Sequence, residues 1–381
     1  MKQIPLYETI YETIRGQILD GTYAAGAKLP SEKELENIFH VSRITSKKAM
    51  VMLAEEGYIE RIPGRGSYVS QSCPKQAVHH QKEECPLIGL IVDGFTPSFA
   101  YHIVHSIEKA CRRTGYSVVL RCSDGSLERE TQAIDDLVKI GVRGILIMFV
   151  HNENYNERIL QLVLNKFPVV TIDRQLKGLA VPFVGTDNVA AARELTTIML
   201  EQGYRKIAFV RPEAHETVTL QDRQTGFQAA YNDYGLIADE SLWITNLRSS
   251  LPENKEENLL DNDIAAVDQY LAQHPETEAF MASEYTLAQI IKYCLQKAGK
   301  YRPGMIYCFD GPELFMEPAE FTHVSQGETE IGTISVKILL RMIENNDHPD
   351  SVLVPYRIVK RNQISKGEYR CENSENSAAE G

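Results

Sequence analysis

Apolar residues recur at every fourth position at the start of the chain. Leu6, Ile10, Ile14 and Ile18, with Tyr7 and Tyr11 beside them, give one hydrophobic stripe and predict a helix over Leu6–Leu19. Gly21 stands where that helix would stop. After the turn Gly26-Ala27-Lys28-Leu29-Pro30, Ser31 and Glu34 have the spacing of a capping box. They predict a second helix with Leu35, Ile38 and Phe39 turned inward. His40-Val41 reads as a tight turn. Ser42 caps a third helix running to Glu56, with Ala49, Met50 and Leu53 on its inner face and Arg43 and Lys47, four apart, on its outer one. Beyond Gly57, the run Tyr58-Ile59-Glu60-Arg61-Ile62, the turn Pro63-Gly64-Arg65-Gly66 and Ser67-Tyr68-Val69 read as a β-hairpin with an arginine at its tip.

Residues 71–86 are polar, hold two prolines and show no period, as a linker does. From Leu87 the pattern changes. Short runs rich in β-branched residues (Ile88–Val92, Ser117–Arg121, Gly144–Met148, Val169–Ile172, Ile207–Val210, Ala279–Met281, Met305–Phe309) alternate with helical periodicity. Strand, helix, strand at this spacing predicts parallel sheets with crossover helices, and residues 87–362 are enough for two such lobes. Gly115, Gly141 and Gly203 fall where helices should end. Residues 363–381 are polar and acidic and are expected to be disordered. The predicted fold class is α/β: a small helical head with a hairpin, residues 1–70, and a two-lobed body.

Composition narrows the function classes. The apolar run Ile145–Val150 is far short of the roughly 20 residues of a membrane span, and the polar N-terminus carries no signal-peptide core, so a cytoplasmic protein with no membrane contact is expected. Seven scattered cysteines without C-x-x-C spacing argue for reduced thiols. The net charge of −12 is uneven: residues 1–70 hold nine Lys or Arg and nine Asp or Glu, so the whole acidic excess lies in the body. Any affinity of the head for nucleic acid must then come from where its cations stand. No G-x-G-x-x-G, P-loop or G-x-S-x-G pattern is present, so the phosphate cradles and nucleophile elbow of common α/β enzymes are missing and no catalytic residue or cofactor is expected. Cys73, His79, His80 and Cys85 match no standard zinc spacing, and no metal is expected.

The head closely resembles the GntR winged helix-turn-helix. The matching positions are Gly26-x-x-Leu29-Pro30-Ser31-Glu32-x-Glu34-Leu35, Val41-Ser42-Arg43-x-Thr45, Gly57-x-Ile59 and Gly64-Arg65-Gly66-Ser67. That resemblance implies a double-stranded DNA operator as partner, with Arg43 reading a base, Ser42, Thr45 and Lys47 contacting the same major groove, Lys33 on phosphate or base, and Arg65 with Gly66 as the wing contact. Ser46 departs from the pattern, which is aliphatic there, and is expected to weaken packing slightly.

The body resembles the ligand domain of the lactose-repressor family, itself like type I periplasmic sugar-binding proteins. The resemblance rests on Pro97-Ser98-Phe99, Gly144-Ile145-Leu146, Pro168-Val169-Val170-x-Ile172-Asp173-Arg174, Val184-Gly185-x-Asp187-Asn188, Gly203-Tyr204-x-Lys206-Ile207-Ala208 and Arg223-x-x-Gly226-Phe227. It implies a sugar cleft between the lobes, where carboxylates and guanidinium groups can each bond two adjacent hydroxyls. Phe99, Asp173, Arg174, Arg223, Glu284, Asp310 and Gln326 are the implied effector contacts. Ser283-Glu284 replaces the usual Asn-Asp, and Gly311 follows Asp310 where a second Asp is usual. Trp243 could stack on a sugar but suits a core, and His102 and His105 suit a solvated helix face. Head and body together are similar to the arabinose-responsive repressors of Gram-positive bacteria, which implies a homodimer on a palindromic operator, released by a small carbohydrate. A purine or phosphosugar effector, or a head fused to an enzyme-like body, remain as alternatives.

Overall fold

Helix α1 (Leu6–Leu19) buries Ile10, Ile14 and Ile18 along its stripe. The computed structural model describes residues 5–63, 65–70, 85–94, 99–150, 156–176, 178–213, 217–252, 257–311, 318–345, 347 and 349–363. The chain divides into two compact units, Met1–Glu84 and Cys85–Gly381. Helix α2 (Glu32–Phe39) begins at Ser31, whose hydroxyl accepts from the Glu34 N–H at 3.3 Å while the Glu34 carboxylate accepts from the Ser31 N–H at 2.7 Å. Two N–H groups that a helix start leaves unpaired are thereby satisfied. His40, left-handed at φ 53°, turns the chain into α3 (Arg43–Glu55).

The three helices and the antiparallel hairpin β1 (Ile59–Ile62) and β2 (Gly66–Val69) close on Ile10, Leu35, Met50, Leu53, Ile59 and Val69. Ile38 corrects the sequence expectation, being 60% exposed. It lies about 80° round the helix from the line through Leu35 and Phe39, and that line is the one facing the core. Ser46 is buried in this core, and its hydroxyl donates to the Arg43 carbonyl at 3.1 Å. The polar atom is thus paired within its own helix.

In the body, β3 (Leu87–Val92), α4 (Tyr101–Arg113), β4 (Ser117–Cys122), α5 (Leu127–Ile140), β5 (Ile145–Ile147), α6 (Glu157–Leu164), β6 (Val169–Ile172) and β7 (Phe183–Thr186) build the first lobe. The second takes α7 (Asn188–Glu201), β8 (Ile207–Pro212), α8 (Val218–Asp233), β9 (Ile244–Leu247), α9 (Leu259–Gln273), β10 (Ala279–Ala282), α10 (Tyr285–Lys297), β11 (Ile306–Phe309) and β12 (Thr322–Ser325). Helix α11 (Glu328–Asn345) and β13 (Val352–Val354) return to the first lobe, and β14 (Arg357–Val359) ends in the second.

Strand order is β13-β7-β6-β5-β3-β4 in one sheet and β14-β12-β11-β10-β8-β9 in the other. Every pairing is parallel except β12 with β14, which differs from the uniformly parallel expectation. Both faces of each sheet are covered, one in the first lobe by a cluster containing Ile103, Ile107, Ile331 and Leu339 and the other by one containing Ile134, Leu137, Ile159 and Leu162. Burial on two faces is why these strands read as continuous apolar runs. The chain crosses between lobes near Asp187, at Gln326-Gly327 and at Pro355-Tyr356. No helix among the described residues is long and apolar enough to cross a membrane. Most of the linker 71–86 and of the tail 363–381 lies outside the described residues, as do Cys73, His79 and His80.

Candidate DNA interface and ligand cleft

In the head, Lys33, Arg43 and Gly66 line one concavity among α2, the start of α3 and the hairpin, together with Ser31, Arg61 and Ser67. Lys33, Arg43, Lys47 and Arg65 are exposed. Ser42 and Thr45 are engaged in the cap of α3: the Thr45 N–H donates to Ser42 Oγ at 3.3 Å, and the two hydroxyls lie 2.9 Å apart. Their placement fixes where α3 begins, and so where Arg43 points from. Arg61 forms an ion pair with Glu32, tying the hairpin to α2. Gly66 has φ 115°, and the Lys28 Cε would stand 3.2 Å from any Cβ there, so a side chain at this position meets both backbone strain and a neighbour. Ile44 was not singled out from sequence. It is 81% exposed between Arg43 and Thr45 and presents apolar surface of the kind that meets a thymine methyl.

In the body, each sheet delivers one aspartate from the C-terminal end of an equivalent strand. Counting from β4 and β9, β6 and β11 are both fourth in order. Asp173 follows β6 with φ 65°, and Asp310 follows β11 with φ 62°. The Asp173 N–H donates to the Val184 carbonyl and the Asp310 N–H to the Val324 carbonyl, both at 2.9 Å, so the same sharp exit is built twice. Left-handed backbone at a residue other than glycine costs free energy and clusters at ligand sites.

Both aspartates line a cavity of about 390 Å³ together with Phe99, Arg174, Arg223, Glu284 and Gln326, so all seven residues expected at the effector site meet in one place. Arg223 comes from α8. Its Nε donates to Asn188 Oδ1 at 2.8 Å, its Nη1 to the Ser283 carbonyl, and its guanidinium lies 3.9 Å from the Phe309 ring centre. Arg174 Nη1 donates to Asp93 Oδ2 at 2.9 Å and to the Phe149 carbonyl, and its Nε lies 3.7 Å from Asp173 Oδ2. Gln326, on a crossover between lobes, donates from Nε2 to Asp310 Oδ1 at 2.9 Å.

Burial sets the electrostatics. It pushes the Asp310 carboxyl up to about 7, against the opposing pull of Arg223 and the Gln326 hydrogen bond, with Asp173 and Glu284 pushing the same way. Burial also raises Asp173 and Glu284 above the usual carboxylate range and lowers the Arg223 guanidinium. Beside the cleft, Glu328 accepts from the backbone N–H groups of Ala100, His102 and Ile103 at the start of α4, yet burial lifts it to about 8.

Sequence reading missed Asp93, Ser249 and Ser250, which also line the cavity. Asp93 had a signal, since it directly follows the six-residue apolar run that forms β3. The two serines sit in an irregular segment after β9 with no pattern of their own. Trp243 packs on Phe209 and Phe227 at ring distances of 5.7 and 6.3 Å, outside the cavity lining. His102 and His105 lie on α4 and line a separate groove against α11. Among the described residues no group of three or more His, Cys, Asp or Glu is placed to hold a metal ion.

The family model of the periplasmic binding proteins and sugar binding domain of the LacI family matches residues 86–362. The chain belongs to this LacI family. Its head, residues 6–69, matches the gntR family of bacterial regulatory proteins, so this LacI-family member carries a GntR reader. It is 25% identical over 378 residues to an arabinose metabolism transcriptional repressor of Geobacillus stearothermophilus, covering 96% of this chain and 99% of that one. It is 27% identical over 344 residues to a ribose operon repressor of Halalkalibacterium halodurans, covering 88% and 95%. A solved complex of the transcriptional regulator CelR with cellobiose shares the fold at a TM-score of 0.61 and 20% identity, over 84% of this chain and 91% of that one. This LacI-family protein is a transcriptional regulator and not an enzyme.

Proposed function

We propose that the chain is a cytoplasmic, sugar-responsive repressor whose two copies hold a palindromic operator and let go when a small carbohydrate fills the cleft. The observation that carries this reading is the convergence of planar carboxylate, guanidinium and amide groups from both lobes on one cavity, in a chain that also carries a DNA-reading head. Two relatives matched over nearly their whole length are named as arabinose and ribose repressors, which supports the sugar. In this reading Arg43 reads a base, Ser42, Thr45 and Lys47 complete the groove contact, Lys33 meets the backbone, and Arg65 with Gly66 enters as the wing.

A sugar touching Asp173 in one lobe and Asp310 in the other draws the lobes together. Gln326 stands on a crossover, so gripping it biases the hinge. Two-fold pairing of bodies sets the half-site spacing, and a coupling of about 1–3 kcal/mol changes operator affinity by about 5- to 150-fold. The test is fluorescence anisotropy of the full chain on an operator selected from genomic fragments, with and without sugars. Arg223→Ala should hold operator as the parent does and lose the sugar response. Normal release by sugar in that variant would refute the assignment.

A further inference from the structure

The groove between α4 and α11 shares no lining residue with the cleft and is opposite to it in charge. Its volume is about 570 Å³, within the roughly 300–1,000 Å³ of small-molecule sites. Both helices start at the same end, because Glu328 at the head of α11 accepts from the Ala100, His102 and Ile103 N–H groups at the head of α4. They come together at Gly332, where an added Cβ would stand 2.1 Å from Ser106 Oγ. Counting on from that crossing, Lys109 and Arg113 lie three and seven residues further along α4, and Lys337 and Arg341 five and nine along α11. At roughly 1.5 Å of rise per residue, the four cations interleave from the two walls within about 9 Å of groove. Among the described residues the lining holds a single acid, Glu344, beyond the four cations, in a chain whose net charge is −12. Arg341 also pairs with Asp347, an exposed contact that a multiply charged anion displaces at small cost.

We propose that this groove is a second ligand site, for a small phosphate ester, separate from the cleft and independent of what the cleft binds. A phosphate group carries about two negative charges and three acceptor oxygens, so it accepts from cations on both walls at once, which a single carboxylate does less well. Lys109 is half-buried, so its charge is less screened by water than that of a fully exposed lysine. The carbon body of an ester has somewhere to lie: Ala110, Val336 and Leu340 form an apolar floor, with the last two buried. Towards the helix starts, the hydroxyls of Thr329 and Thr333 can bond an ester's own hydroxyls. Tyr101, 60% exposed and stacked on His105 with ring centres 6.1 Å apart and planes 12° from parallel, offers a flat aromatic surface at the same end. Sugar phosphates and nucleotides share this chemistry.

Isothermal titration of the full chain with fructose 1,6-bisphosphate, with ADP and with inorganic phosphate tests it. One of the two esters should bind at one site per chain, and which one does distinguishes a sugar phosphate from a nucleotide. Binding should persist in Arg223→Ala, whose change lies in the cleft. It should weaken about 10-fold or more in the double variant Lys337→Gln/Arg341→Gln, which removes two exposed charges and should melt as the parent does. If the double variant melts lower, Arg113→Gln on the opposite wall gives the same reading. No binding of either ester overturns the proposal and leaves the sugar reading standing. Ester binding lost in Arg223→Ala and kept in the double variant moves the ligand to the cleft and overturns it too. Inorganic phosphate binding as tightly as the better ester shows a charged patch with no place for a carbon body, which overturns the ester. A phosphoserine peptide binding where both esters fail assigns the groove to a protein partner and overturns the small ligand.

Discussion

Gly226→Ala isolates the packing that aims Arg223. Gly226 lies on α8 where it crosses α7, and a Cβ built there would stand 2.2 Å from the Val189 carbonyl oxygen, 2.8 Å from Ala192 Cβ and 2.9 Å from the Arg193 nitrogen. Two of those atoms are backbone and cannot rotate aside. Ordinary contact begins at 3.4 Å, so the helices must separate by about 1.2 Å at this point. Arg223 sits one turn earlier on the same face and donates to Asn188 at the start of α7 at 2.8 Å, a bond that such a separation stretches past useful length. Overpacking of this kind costs about 1–3 kcal/mol, against which alanine's better helix propensity returns up to about 1 kcal/mol.

A 2.2 Å approach to backbone puts the cost at the upper end of that range, so the net loss should be about 2 kcal/mol, which lowers the melting temperature of the body by about 4–8 °C. Differential scanning calorimetry reads that loss, and titration with the inducing sugar should show weakened binding in the same protein. Gly16→Ala is the matched control. Gly16 is exposed on α1 with nothing within 4 Å of the place an added methyl would take, so the same substitution there should stabilise the head by up to about 1 kcal/mol. If Gly226→Ala melts within about 1 °C of the parent and binds sugar normally, the close helix crossing is not what positions Arg223.

Three further outcomes are expected. Ligand-free protein should lose about 2 kcal/mol of stability between pH 6.5 and 8.5, because Asp310 and Glu328 stay protonated in the fold up to about 7 and 8 while the unfolded chain has already ionised them, so the unfolded state binds fewer protons. Arg223, Asp173, Glu284 and Gln326 all face Asp310 and act on this titration, and His323 opposes the trend only below its ordinary range; a melting temperature that is flat or rises over this window would contradict the buried-acid account. Arg43→Ala should cost about 1–3 kcal/mol at one operator position, whereas Lys47→Ala should weaken binding on all sequences alike and lower the salt slope by about one, both read by anisotropy across salt and operator variants. Ser31→Ala removes one side of the capping box and should destabilise the head by about 1 kcal/mol in a thermal melt, with no change beyond a few tenths showing that the cap is redundant.

The head was legible because its signals are local. The period of α1, the Ser31 and Glu34 spacing and the Ser42 cap each act within a few residues, and α1 and the cap positions follow from them. Ile38 failed because apolarity alone does not say which side of a short helix meets the core. In the body the buried apolar runs were readable, but β7, β9, β12, β13 and β14 were not. Length does not separate them, since β5, β6, β10 and β11 are as short; Thr322-His323-Val324-Ser325 carries no apolar alternation and is defined by its neighbours β11 and β14. The effector residues were placed by resemblance. What no local pattern carried is that Asp173 and Asp310 leave equivalent strands through the same left-handed step, since that equivalence exists only once two sheets stand side by side.

The return of the chain to its first lobe orders events on the ribosome. One face of that lobe joins Ile103 and Ile107 of α4 to Ile331 and Leu339 of α11, and the entire second lobe up to β12 is synthesised between them. At translation rates of roughly 5–20 residues per second, α4 waits on the order of 10–50 s for its cover. The head needs nothing beyond β2 to close its own core. A nascent or truncated chain that stops before α11 therefore owns a finished DNA reader and an unfinished sugar reader. Such a fragment carries a DNA reader with nothing in the chain to tell it to leave.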